Sequence, residues 1–210
     1  MTTSVVNIID DNEDLRLSLD SLFRSVGLKT RMFGSATEFL SAAREERVSC
    51  LVLDVRLPGL SGLDFQDYLS KSGVLIPVVL MTGHGDIPMS VRAMKAGAID
   101  FLVKPFRDQD MLDAVSAALA SDQQRRESGN ELAMVSHRYA ELTEREKQVM
   151  VLVTSGLMNK QVAGKLSLSE VTVKIHRGSA MRKMEARTLA DLVRMADLLN
   201  LCEETRAKSG

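Results

Sequence analysis

The sequence predicts an α/β + all-α chain: a (βα)5 doubly wound parallel sheet, a partly helical linker, then a bundle of four short helices. Two patterns carry the prediction. Five apolar runs of strand length alternate with helical segments through the first 120 residues, and strand-like runs then cease. The charge also changes sign along the chain. Residues 1–122 hold 12 Lys and Arg against 17 Asp and Glu, a net of −5, whereas residues 123–210 hold 15 against 11, a net of +4. The acidic and basic halves suit different partners, the second a polyanion.

The strand-like runs fall at 5–9, 28–33, 50–53, 77–81 and 99–103. Parallel strands need crossovers, and amphipathic segments such as Leu15, Leu19, Leu22, Phe23 and Val26 supply them. A closing helix is expected over 108–120, with Met111, Leu112, Val115 and Leu119 on one face. The polar stretch 121–142 is expected to be the linker, with Gly129 as its break. Beyond it, Thr143 and Glu146 form a capping box before TEREKQVMVLV, and Gly156 stops that helix. A second helix is predicted over 159–165, a third over 170–184 capped by Ser169, and a fourth from Thr188 to Leu199. Three units are thus expected, at 1–120, 121–142 and 143–203.

No apolar stretch approaches the roughly 18 residues that cross a bilayer, and the N-terminus carries acids where a secretory signal carries bases. A cytoplasmic protein without membrane contact is expected. Cys50 and Cys202 stand far apart without a His/Cys cluster, so both are read as ordinary buried or surface thiols.

In a doubly wound sheet, ligands bind beyond the carboxyl ends of the strands. There the sequence places Asp10 and Asp11 after strand one, Asp54 after strand three, Thr82 after strand four and Lys104-Pro105 after strand five. Three carboxylates on one rim repel unless a cation intervenes, and hard oxygen donors on a hydrated site favour Mg²⁺. Lys104 and Thr82 are then free to bind phosphoryl oxygens. An aspartyl-phosphate phosphatase would carry a second acid two residues after its nucleophile; Arg56 stands there, so an enzyme is not expected.

These residues, with the stretch MTGHGDIPMSVRAMKAGAIDFLVKPF, resemble the receiver domains of two-component systems, in particular the FixJ-type branch. The resemblance implies that Asp54 accepts a phosphoryl group from a sensor histidine kinase. It implies Mg²⁺ ligation by Asp11, Asp54 and the backbone carbonyl of Arg56, with Asp10 acting through water. Thr82 and Lys104 would hold the phosphoryl group, Phe101 would be the aromatic switch, and Pro105 would follow a cis peptide bond. The surface around 87–102 would become a homodimer contact. Arg56 and His84 occupy positions that tune phosphoryl lifetime, or are plain solvated loop residues.

Short helix, turn, longer helix is the helix-turn-helix pattern, here NKQVAGKL, SLS and the helix from Ser169-Glu170. On that second helix Lys174, Ile175, Gly178 and Arg182 share one face, and Val173, Ala180, Met181 and Met184 lie toward the other. Residues 159–187 carry seven bases and two acids. The segment LTEREKQVMVLVTSGLMNKQVAGKLSLSEVTVKIHRGSAMRKM is similar to LuxR/NarL-class DNA-binding domains. That likeness implies base contacts from Lys174 and Ile175 and phosphate contacts from Thr172, Arg177 and Arg182, with Asn159 and Lys160 near the backbone. Gly178 either admits close backbone approach or reads nothing. His176 is read as a packing or phosphate-contact residue. The phrases GLMNKQ-x-A and AMKAGAI resemble regulators of aromatic-hydrocarbon catabolism such as the styrene-responsive one. Double-stranded DNA, a cognate kinase and RNA polymerase are the implied partners, with activation of transcription the expected outcome.

Overall fold

The computed structural model describes residues 4–43 and 47–201. The chain forms two compact units, Met1–Arg126 and Glu127–Gly210.

In the first unit β1 (Val5–Ile9), β2 (Lys29–Phe33), β3 (Ser49–Asp54), β4 (Val78–Thr82) and β5 (Asp100–Val103) make one sheet in the order β2-β1-β3-β4-β5. Every pairing is parallel. Strand order reverses beside β1 and β3, which pair with each other last at Ile9 and Leu53. Asp10 and Asp54 therefore emerge next to each other, while Thr82 pairs with Val103 one strand further on. The crevice where a doubly wound sheet binds its ligand is thus acidic.

Helices α1 (Glu13–Ser25), α2 (Ala36–Ser41), α3 (Gly62–Lys71), α4 (Ile87–Lys95) and α5 (Asp108–Ala140) follow the strands. On one face of the sheet Ile8, Val52 and Met81 pack with Phe23 of α1 and Met111 and Val115 of α5. On the other, Ile9, Leu53 and Leu80 pack with Phe65 and Leu69 of α3 and Ala93 of α4. Burial on both faces explains why these strands read as continuous apolar runs rather than alternating ones. Cys50 is fully buried in the first of these cores, and its thiol is pushed up to about 12 by that burial and by the charge of Asp122. Cys202 lies outside the described residues.

The largest departure from expectation is α5. The predicted closing helix does not end at residue 120 but continues to Ala140, through Gly129, as 33 residues of α-helix. Two effects explain it. The stretch is rich in good helix formers, so one glycine, at roughly 1 kcal/mol, does not stop propagation. Asp122 adds an anchor: it is buried, pairs within the helix with Arg125 and, at 2.6 Å, with Arg126, and accepts the Ser49 N–H at 3.0 Å. Burial opposes its ionisation, yet these donors hold its carboxyl below the usual range.

The second unit contains α6 (Glu144–Thr154), α7 (Asn159–Leu166), α8 (Glu170–Lys183) and α9 (Leu189–Leu198), the four helices predicted. Its core joins Val149, Met150, Val162, Val173, Ala180 and Leu192, and also takes Val135 and Leu142 from the stretch expected to be linker. The Thr143–Glu146 capping box is present, and Gly156 follows α6 with φ +91°, a left-handed conformation that glycine adopts without strain. Thr188 caps α9, with Asp191 completing a second box.

Candidate functional site

The acidic pocket is built from the residues that end the strands. Carboxylate oxygens of Asp10, Asp11 and Asp54 lie within 4.8 Å of one another. Asp10 and Asp54 are buried and Asp11 is exposed, so the pocket opens to solvent on one side. Lys104 reaches in from the end of β5: its Nζ lies 2.7 Å from Asp10 Oδ2 and 2.9 Å from Asp54 Oδ2. Asp10 Oδ1 accepts the Asn12 N–H at 2.8 Å, and Asp54 Oδ1 accepts the Arg56 N–H at 3.1 Å. Lys104–Pro105 is a cis peptide bond, as expected.

Electrostatics show that one ammonium does not balance this site. Burial, reinforced by the charge of Asp54, pushes the Asp10 carboxyl above its ordinary value although Lys104 and the Asn12 N–H oppose the shift. Burial acts to lower Lys104, but its hydrogen bonds to Asp10 and Asp54 win and raise it. Three carboxylates against one Lys leave an excess of negative charge, which a hard cation would relieve.

The predicted residues do not all meet. Asp10, Asp11, Asp54 and Lys104 converge. Thr82 is buried at the end of β4, where its Oγ1 accepts the His84 N–H at 3.3 Å. Arg56 joins through its backbone N–H, and its side chain is exposed. Phe101 is half-buried against the α3/α4 core. Several supporting residues escaped the sequence reading. Arg16 donates to the Asp10 carbonyl at 2.6 Å and so fixes the chain that carries the carboxylate. A Cβ on Gly62 would stand 2.2 Å from the Asp54 carbonyl oxygen, so only glycine lets α3 start against that backbone. A Cβ on Gly85 would meet Val103 at 2.6 Å and Phe101 at 3.1 Å, which puts this loop in contact with the ring. A glycine one residue after a helix cap, as Gly62 is after Ser61, was the available signal.

Around α4 and β5 the side chains of Ile87, Val91, Met94 and Val103 are exposed and apolar. Ile87, Val91 and Met94 fall within the 87–102 surface expected to form the dimer contact, and Val103 adjoins it.

In the second unit α7 and α8 take the helix-turn-helix order, joined at Ser167, which adopts a left-handed φ of 54°. Ser169 caps α8 by accepting the Thr172 N–H, and its hydroxyl also meets Thr172 Oγ1 at 2.8 Å. Val173, Ala180 and Met184 are buried, while Lys174, Ile175, Gly178 and Arg182 are exposed, as the 3.6-residue period predicts. Asn159 and Arg177, from the two helices, meet at 3.4 Å, and Lys160 is exposed beside them. Lys183 is diverted: its Nζ pairs with the buried Glu146 at 2.7 Å and ties α8 to α6. Burial opposes ionisation of Glu146, but hydrogen bonds from Lys183, Ser179 and Thr143 outweigh it and hold the carboxyl down at about 2.

Residues 6–116 match the response regulator receiver domain, and residues 140–196 match the luxR family of bacterial regulatory proteins. The chain belongs to the two-component response regulators with a LuxR-type DNA-binding domain. Nodulation protein W of Bradyrhizobium diazoefficiens is 55% identical over 200 residues, 95% of this chain and 88% of that protein. The solved structure of response regulator StyR has a TM-score of 0.82 at 45% identity, over 93% of this chain and 98% of that one. Full-length FixJ from B. japonicum has a TM-score of 0.58 at 36% identity, over 96% of this chain and 99% of that one. The likenesses expected from the sequence, to FixJ and to the styrene-responsive regulator, are both found. A regulator of transcription in a two-component system, with DNA and a cognate kinase as partners, follows from the two domains.

Proposed function

We propose that Asp54 is the phosphoacceptor of this regulator. The observation that carries the reading is the convergence of the Asp10, Asp11 and Asp54 carboxylates with the Lys104 ammonium on one strand-end rim. An Asp54 carboxylate oxygen attacks the phosphorus of a phosphohistidine on the kinase; the O–P bond forms as the N–P bond breaks, and the electron pair returns to the imidazole. Mg²⁺ is the cation that suits the donor set, with Asp11, Asp54 and the Arg56 carbonyl as ligands and Asp10 through water. When bound, it supplies charge neutralisation for the phosphoryl oxygens. Lys104 binds one of those oxygens and the Thr82 hydroxyl another, which draws Thr82 from its bond with His84.

Movement of Thr82 is passed to Phe101, which shares contact with the Gly85 loop. A two-state element of this kind needs only a few kcal/mol of bias. Exposed Ile87, Val91, Met94 and Val103 then become the receiver–receiver contact, and the paired chains place two recognition helices on two half-sites. Lys174 and Ile175 face base edges, with Thr172, Arg177, Arg182, Asn159 and Lys160 toward phosphates. The receiver function is assigned to 1–120 and the DNA-binding function to 143–203, with 121–142 as the joining segment that also lends Val135 and Leu142 to the second unit's core. Recruitment of RNA polymerase is the outcome, in the cytoplasm. Among the described residues no helix is long and apolar enough to cross a membrane. With Arg56 in place of a second acid, the chain acts as a regulator and not as a phosphatase.

The test is incubation of the purified chain with acetyl phosphate and Mg²⁺, read by intact-mass spectrometry. One hydroxylamine-labile phosphoryl adduct is expected, absent from Asp54→Ala and without Mg²⁺. An adduct that survives Asp54→Ala would overturn the assignment.

A further inference from the structure

The exposed face of α8 carries residues that its own fold does not call for. Val171 and Ile175 are 67% and 65% exposed, one turn apart and in line with Gly178 and Arg182. Both are β-branched, a class that a helix surface does not favour on propensity. Two such side chains adjacent in water, on a face opposite the buried Val173 and Ala180, form an apolar strip outside the core that the described residues build.

Gly178 adds a second, independent observation. It lies mid-helix without a left-handed φ, and a Cβ there would meet nothing within 4 Å. Neither backbone conformation nor packing inside the unit demands glycine, although glycine weakens a helix interior. The strip is flanked by the exposed bases Lys174 and Arg182, so its charge environment suits a polyanion rather than an apolar protein face.

The only apolar group presented by bases in the major groove is the thymine C5-methyl. Resting on the reading of α8 as the DNA-contacting helix, we infer that Val171 and Ile175 read thymine methyls in each half-site. Gly178 leaves the helix surface flat so that its backbone can approach the bases. Residues four apart on a helix lie one turn apart, about 6 Å along its axis, so both side chains fall within one half-site's stretch of major groove. Lys174 supplies a polar contact at the edge of this patch, and specificity rests more on methyl groups than on hydrogen bonds.

The experiment begins by selecting high-affinity duplexes from a random pool with the full chain, phosphorylated by acetyl phosphate. Each thymine of the selected half-site is then replaced singly by deoxyuridine, which lacks only the methyl. Affinity should fall about fourfold at the read positions, the equivalent of one buried methyl group, and stay unchanged elsewhere. Val171→Ala and Ile175→Ala should each weaken binding of the selected duplex by about the same factor and abolish the deoxyuridine penalty at one position. Gly178→Ala should weaken binding without lowering thermal stability. Equal affinity for every deoxyuridine duplex, or a penalty unchanged in both alanine variants, overturns methyl reading while leaving DNA binding intact. Selection of no duplex at all overturns the DNA-contact reading itself, and methyl reading with it.

Discussion

Each compact unit holds a half-buried lysine against buried carboxylate, and the two arrangements behave oppositely. Lys183 meets one acid, Glu146, whose remaining lone pairs are also satisfied by Thr143 and Ser179, and the carboxyl falls to about 2. Lys104 meets Asp10 and Asp54 with Asp11 close by, and the Asp10 carboxyl rises. The first pair is complete and ties one helix to another. The second remains short of positive charge, an imbalance that a hard cation would relieve and that a closed structural ion pair does not have. Geometry alone does not separate them, since both lysines lie 2.7 Å from a carboxylate; the charge count does.

The largest effect that tests this contrast is Asp54→Asn, which should abolish acetyl phosphate labelling altogether while leaving the circular dichroism spectrum unchanged. Retained labelling would place the acceptor elsewhere.

Lys104→Met comes next. It strands two buried carboxylates, and loss of one partner from a buried pair costs roughly 3–5 kcal/mol. Urea unfolding should show that loss, and millimolar Mg²⁺ should restore more stability to the variant than to the parent chain. A variant as stable as the parent in metal-free buffer would mean that the pocket is not charge-strained.

Glu146→Gln should cost less, roughly 2 kcal/mol near neutral pH. A carboxyl lowered from its ordinary 4.5 to about 2 stabilises the fold fully above the higher value, and that stabilisation is lost as pH falls through the lower one. The difference between parent and variant should therefore shrink between about pH 4.5 and 2, as measured by urea midpoints across that range. A constant difference would show that shape, not charge, makes the contribution.

Smallest is Gly129→Ala. A Cβ there meets nothing within 4 Å and α5 passes through the position, so alanine should raise stability by about 0.5–1 kcal/mol. A fall would mean that the chain uses a break at that glycine.

Much of this molecule could be read from the sequence because the relevant signals are local. Strand length, helical period and capping residues placed the five strands and α6 to α9, and Val173 and Ala180 turned inward where the period put them. Asp10, Asp54, Thr82 and Lys104 were legible as candidates because a doubly wound sheet puts its ligand at strand ends. Even the exposed side of α8 followed from angles of about 100° per residue.

What only the tertiary structure decided is which groups pair across the chain. The continuation of α5 through Gly129 depends in part on Asp122 holding Ser49, 73 residues away. Lys183 read as one more base for phosphate until Glu146, 37 residues earlier, claimed it. Gly62 is required by an oxygen of Asp54 that no spacing rule would place against it. Periodicity reports how a residue faces its own helix or strand; the partner it finds there is set by packing between elements distant in sequence, where buried charge must be matched and close approach leaves no room for a side chain.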